Sequence, residues 1–135
     1  MFTHQTQLRV RYGETDQMGY VYYGDYAEYF EVGRVEALRT LGFPYRRLEE
    51  EGIMLPVRTL SITYHAPARY DDLITIRTTI AEPPSARIRF LYHIHNEAGA
   101  LLTEAETVLV FVDKETMRPR RAPEAFLQAM KDHFL

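Results

Sequence analysis

A single amphipathic helix followed almost entirely by strand patterns constrains this chain more than any other feature. Tyr26, Phe30, Gly33, Ala37 and Leu41 recur at spacings of three and four and form one helical stripe over about Asp25 to Leu41. Gly33 and Ala37 are small, so the helix can lie close against a sheet. Gly42 follows the last stripe residue and Pro44 blocks continuation, as expected past a helix C-terminus. Asp25 and Glu28 stand in a capping-box relation at the other end.

A first strand is expected over about Gln5 to Tyr12, and a short second helix over Tyr45 to Glu51. Four more strands follow, at about Ile53 to Tyr64, Leu73 to Ile80, Ala86 to His95 and Ala100 to Asp113. The third of these alternates clearly, with Ile88, Phe90, Tyr92 and Ile94 on one face and Arg87, Arg89, His93 and His95 on the other. Asp71-Asp72 and Asn96-Glu97-Ala98-Gly99 are turns, and Pro123 to Phe134 reads as a terminal helix. Consecutive strands joined by short turns imply an antiparallel sheet, and one helix on one face buries both apolar surfaces. The class is α+β, as a single domain over residues 1–135. One helix on a thin sheet leaves an apolar edge or face exposed, which favours assembly into a homo-oligomer.

Bulk properties narrow the function. The net charge of −3 supplies no basic surplus for phosphate backbones, which argues against nucleic acid as the main partner. With no cysteine there is no thiolate nucleophile, disulfide framework or Cys-based zinc site. Met1-Phe2-Thr3-His4-Gln5 lacks the basic-then-apolar form of a signal peptide, and no apolar run is long enough to span a membrane. A cytoplasmic enzyme is the compatible expectation.

The most chemically suggestive segment is Tyr12 to Tyr26, which joins the first strand to the long helix. It places Asp16 in a loop just before a helix N-terminus. An aspartate is ionised at neutral pH in water and serves as base or nucleophile. Free N–H groups at a helix start favour a developing oxyanion. Acyl transfer needs both together. The plainer alternative is a turn aspartate bonded to nearby backbone.

The run Glu14-Thr15-Asp16-Gln17-Met18-Gly19-Tyr20-Val21-Tyr22-Tyr23-Gly24-Asp25-Tyr26 resembles the signature of the 4-hydroxybenzoyl-CoA thioesterase family, within the hotdog-fold acyl-CoA thioesterases. The resemblance continues through Leu55-Pro56-Val57 and Tyr64 to Leu73. It implies a hotdog fold, an antiparallel sheet of about five strands wrapped on the long helix. It implies hydrolysis of an acyl-CoA thioester, with Asp16 as the catalytic carboxylate and the Tyr23 backbone amide polarising the carbonyl. The carboxylate either attacks the carbonyl or activates a water. CoA is part of the substrate, so no separate cofactor is implied. Asp25 departs from the family's usual Asn; as a cap it would compete for the same amides. The family's sites lie between subunits, which implies a homodimer or homotetramer.

Arg118, Arg120 and Arg121 form the densest basic cluster, read either as a solvated tail or as a clamp for CoA phosphates. Arg69 is a second candidate, and Tyr20 and Tyr22 are candidates for an acyl pocket. Glu14, two residues before Asp16, would share its side in an extended segment, but reads better as a solvated or capping residue. His93 and His95 share a strand face, where Arg87 and Arg89 would repel a cation, so no metal is expected. His65 reads as structural. The rivals are an acyl-ACP thioesterase, a hydratase, a non-catalytic acyl-CoA-binding protein and a purely structural protein. A hydratase would carry a histidine in the loop, and none lies between His4 and His65.

Overall fold

The computed structural model describes residues 1–134. The chain runs β1 (Phe2–Arg9), α1 (Tyr26–Thr40), α2 (Tyr45–Glu50), β2 (Ile53–Met54), β3 (Val57–Tyr64), β4 (Leu73–Ile80), β5 (Arg87–His95), β6 (Leu101–Val110), β7 (Val112–Asp113) and α3 (Glu124–Lys131). Short 3₁₀ turns at Tyr12–Glu14 and Tyr23–Asp25 lie between β1 and α1. Five strands form an antiparallel sheet in the order β1-β4-β5-β6-β3, and β2 and β7 form a separate two-stranded ribbon. This is the expected architecture.

Local boundaries differ for physical reasons. The first strand starts at Phe2, opposite Ile80, rather than at Gln5, and stops at Arg9 because a 3₁₀ turn begins at Tyr12. The stretch expected as one strand from Ile53 to Tyr64 is broken at Leu55-Pro56. Proline has no N–H to donate to a ladder; its carbonyl here accepts from Val110 N–H at 3.1 Å. The last strand breaks at Phe111, whose backbone bonds outward to Ala86 and Arg120.

The core lies between α1 and one sheet face. Ile88, Phe90, Tyr92 and Ile94 of β5 are all buried there, as their alternation requires. On α1 the buried face is Tyr26, Tyr29, Phe30, Gly33, Arg34, Ala37 and Leu38. That face is wider than the expected stripe, and Leu41 lies only half buried at its end. Gly33 is where helix and sheet touch most closely: a Cβ there would lie 2.6 Å from Thr78 Oγ1 and 2.9 Å from Ile76 Cγ2. The helix packs on β1, β4 and β5. It therefore leaves β3 thinly covered: seven of that strand's eight residues are exposed, Val57, Leu60 and Tyr64 among them. The opposite sheet face carries charge pairs instead of a helix. Arg89 Nε donates to Glu106 Oε1 at 2.7 Å, and Glu104 lies 2.8 Å from His65 Nε2 and 3.4 Å from His93 Nε2.

Candidate active site

The loop between β1 and α1 is a self-closed turn. Asp16 N–H donates to Tyr20 carbonyl at 2.8 Å, and Gly19 N–H donates back to Asp16 carbonyl at 2.9 Å. Gly19 has φ +81°, a left-handed conformation that glycine adopts without steric cost. Bridges from Thr15 to Val21 and from Tyr20 to Arg69 fasten this turn to its own exit and to the β3–β4 connection. Asp16 is half buried and lines an open cleft of about 590 Å³ with Tyr12, Thr15, Gln17, Gly19 and Tyr70. Its Oδ1 accepts from Met18 N–H at 2.9 Å. The turn-forming role is thus present, and the cleft gives the carboxylate access to a ligand as well.

The chain turns helical at Tyr23, not at Asp25. Tyr22 is extended, and Tyr23–Asp25 is a 3₁₀ turn that feeds directly into α1. The expected cap at Asp25 is absent: that residue is already helical, with φ −75° and ψ −15°, and its side chain makes no capping bond. A capping residue needs extended backbone so that its side chain can turn back onto the amides. No side chain caps the turn at Tyr23 either. The competition expected from Asp25 therefore does not arise. Tyr23 carbonyl accepts from Tyr64 Oη–H at 3.0 Å, which ties the helix start to the end of β3.

Glu14 caps the 3₁₀ turn at Tyr12–Glu14, one of the two roles the sequence offered, but it does so from inside the protein. It is buried, at 8% exposure, and neither solvated nor aligned with Asp16. The 3₁₀ turn at Tyr12–Glu14 breaks the two-residue alternation and rotates the carboxylate inward. There it accepts from Arg11 N–H at 2.8 Å, from Tyr29 Oη–H at 2.9 Å, and from the Arg11 guanidinium at 3.1 and 3.2 Å. Burial opposes its ionisation, but these donors, the Arg11 amide first, outweigh it and hold the carboxyl below its ordinary range. Burial, and then Glu14, push the Tyr29 hydroxyl well up, so it stays protonated and donating. The Tyr29 contact spans fifteen positions, beyond any local spacing rule.

The other candidates divide between the two ends of the sheet. Arg69 is at the Asp16 end, its guanidinium 5.0 Å over the Tyr20 ring. Tyr20 packs there, while the Tyr22 ring lies tilted against Tyr23, their centroids 4.6 Å apart. Tyr12 and Tyr70, 5.4 Å apart, wall the cleft and were not among the sequence candidates. Arg118, Arg120 and Arg121 are exposed and follow β7 at the opposite end, where Pro119 bridges to Val112. The eight-residue length of β4 separates the two ends, roughly 25 Å at about 3.3 Å per residue. His65 and His93 each pair with Glu104 on the outer sheet face, and no group of three or more His, Asp or Glu side chains placed to hold a metal ion is found among the described residues.

Known proteins share both the sequence and this geometry. Residues 10–130 match the model of the thioesterase-like superfamily. An acyl-CoA thioester hydrolase of Escherichia coli O6:H1, YbgC, is 36% identical over 92% of this chain and 92% of its own. A chloroplastic acyl-acyl carrier protein thioesterase of Arabidopsis thaliana is 30% identical over 98% of this chain and 69% of its own. The crystal structure of a DHNA-CoA thioesterase from Staphylococcus aureus superposes with a TM-score of 0.89, at 33% identity over 98% of this chain and 95% of that one. A hotdog sheet wrapped on one helix, with a match spanning nearly all of it, leaves one assignment: the chain belongs to the thioesterase-like superfamily.

Proposed function

We propose that the protein hydrolyses acyl-CoA thioesters to the free acid and CoA, and that Asp16 is the reacting carboxylate. One observation carries this reading: Asp16 lines an open cleft on a loop held to the start of the helix by the Thr15–Val21 bridge. In this reading the thioester carbonyl sits between the Asp16 carboxylate and the Tyr23 amide. The amide stabilises the oxyanion as it forms. Asp16 either adds to the carbonyl, giving an anhydride that water opens, or takes a proton from the attacking water. Both routes expel the CoA thiolate and consume one water, and neither needs a further cofactor. The run from Glu14 to Tyr26 supports placement beside the 4-hydroxybenzoyl-CoA thioesterases within the superfamily.

The active form in this reading is a homo-oligomer built on the β3 edge. Two copies of β3 pairing antiparallel about a two-fold axis bring the Val57 end of one beside the Tyr64 end of the other. Arg118, Arg120 and Arg121 of one copy then approach the Asp16 loop of its partner, alongside that loop's own Arg69. In that position they serve the CoA phosphates.

A thiol-release assay across short, long, branched and aromatic acyl-CoAs tests the reading. Asp16→Asn should keep the fold and lose about 10²–10⁴ in turnover, the usual worth of a positioned base. Near-wild-type thiol release by that variant would remove Asp16 from the chemistry. The likeness to the Arabidopsis enzyme gives the second reading, an acyl carrier protein thioester as substrate. Supplying the same acyl groups on acyl carrier protein separates the two.

A further inference from the structure

The Asp16 loop is fastened by the Thr15–Val21 and Tyr20–Arg69 bridges and by Val21 N–H donating to Ala68 carbonyl at 2.9 Å, and beside these backbone ties it has one buried carboxylate, Glu14. Three segments that build the site meet at this residue. Its carboxylate takes Arg11 N–H at the end of the strand and Tyr29 Oη–H from the second turn of α1. Its carbonyl takes Tyr22 N–H at 2.8 Å, in the residue just before the helical run begins at Tyr23. Its own N–H donates to Arg11 carbonyl at 3.0 Å, which closes the turn that carries the carboxylate inward. Asp16 follows two residues later, and its own hydrogen bonds are to Met18, Gly19 and Tyr20 within the loop. Those bonds shape the loop but do not orient it against the helix.

We propose that Glu14 is a positioning residue for the reaction, fixing the Asp16 carboxylate relative to the amides at the start of the helix. The inference rests on the role given to Asp16 above. Glu14 does not face the cleft and does not touch the thioester. It acts through distance: its carboxylate ties the chain just before Asp16 to Tyr29 of α1, and its carbonyl holds Tyr22, so base and oxyanion donor are both set from one buried residue. A displacement of about 1 Å between groups that must act on one carbonyl costs up to roughly 100-fold in rate. Substrate binding draws on cleft walls that Glu14 does not form, so the loss should fall on kcat.

Glu14→Ala, Glu14→Gln, Tyr29→Phe and Asp16→Asn are assayed side by side for kcat and KM on one acyl-CoA, with folding checked by circular dichroism. Glu14→Ala is expected to lower kcat ~10–100-fold with KM within about threefold. Glu14→Gln should recover part of that loss, because its amide oxygen still accepts from Arg11 N–H and Tyr29 Oη–H. Tyr29→Phe deletes a single hydroxyl and should lower kcat to a smaller extent, again with KM held. It carries the test if Glu14→Ala fails to fold. Wild-type kcat in a folded Glu14→Ala variant, or in Tyr29→Phe where the former does not fold, overturns the proposal. So does a loss confined to KM. If Asp16→Asn itself retains turnover, the reading of the site falls instead, and the two failures are thereby distinguished.

Discussion

Glu14 keeps a negative charge where little water reaches it, and stability should record this. Its carboxyl is held below the ordinary value of 4.5 in the folded chain, against burial, by hydrogen bonds from Arg11 and Tyr29. A carboxyl depressed on folding contributes stability that is full above its unfolded value. That contribution disappears as pH falls through the lower, folded value. Glu14→Gln keeps the acceptor oxygen but removes its charge, so it should destabilise the protein at pH 7 by about 1 kcal/mol, the margin by which hydrogen bonds to a charged acceptor exceed those to a neutral one. The Arg11 side chain is 77% exposed, so its ion pair adds little to that sum. Denaturant midpoints at pH 7 and pH 3 should show the gap between wild type and variant closing in acid. A gap that does not change with pH would mean that Glu14 titrates alike in both states. The position of Asp16, in a loop just before the helix start, was legible from sequence because its signal is local: loop, glycine and helix start lie within one short run. The burial of Glu14 was not, because a 3₁₀ turn reversed its direction and its helix partner lies far along the chain.

Among the elements, α1 and the sheet meet most tightly at Gly33. Ile76 and Thr78 are fully buried on the strand beneath it. A methyl group at position 33 would come within 3.0 Å of both side chains. Overpacking of this kind costs about 1–3 kcal/mol, against roughly 1 kcal/mol gained by replacing glycine with alanine in a helix. Gly33→Ala should lower the thermal midpoint, since both contacts are to β-branched side chains in paired strands. An unchanged or higher midpoint would show that the helix can lift away without cost. The sequence announced this closeness through two small residues in the helical stripe, and the periodicities of β4 and β5 were equally plain. Pro56 marked one break in the long strand patterns, but the break at Phe111, set by bonds to distant backbone, had no local signal.

At the scale of the molecule, an exposed edge strand with apolar side chains is the feature that assembly should cover. Leu60 sits near the middle of β3 and is 43% exposed. A lysine on a sheet edge discourages pairing with another strand. Leu60→Lys should therefore shift the protein toward monomer by light scattering at micromolar concentration and lower turnover with it. A fully active monomeric variant would dissociate the site from assembly. The arginine cluster gives a companion test. Replacing Arg118, Arg120 and Arg121 together by alanine should raise KM for acyl-CoA more than it lowers kcat, with the difference shrinking as salt rises. A short thioester lacking the nucleotide should be indifferent to the change. Equal KM values on full acyl-CoA would make the cluster a solvated tail. Sequence alone placed these arginines and Asp16 in one list, whereas the sheet topology sets them at opposite ends of the chain's own fold.

The sheet order also imposes a schedule on synthesis. β1 leaves the ribosome well before the strand it pairs with, β4, which begins at Leu73. At about five to twenty residues per second, roughly 4–14 s of translation pass before that partner exists. For that interval the N-terminal strand is an orphan with two open edges. Its alternate positions Thr3, Gln5, Gln7 and Arg9 are polar. A nascent chain waiting with that face outward gives a neighbouring polysome little apolar surface to grasp.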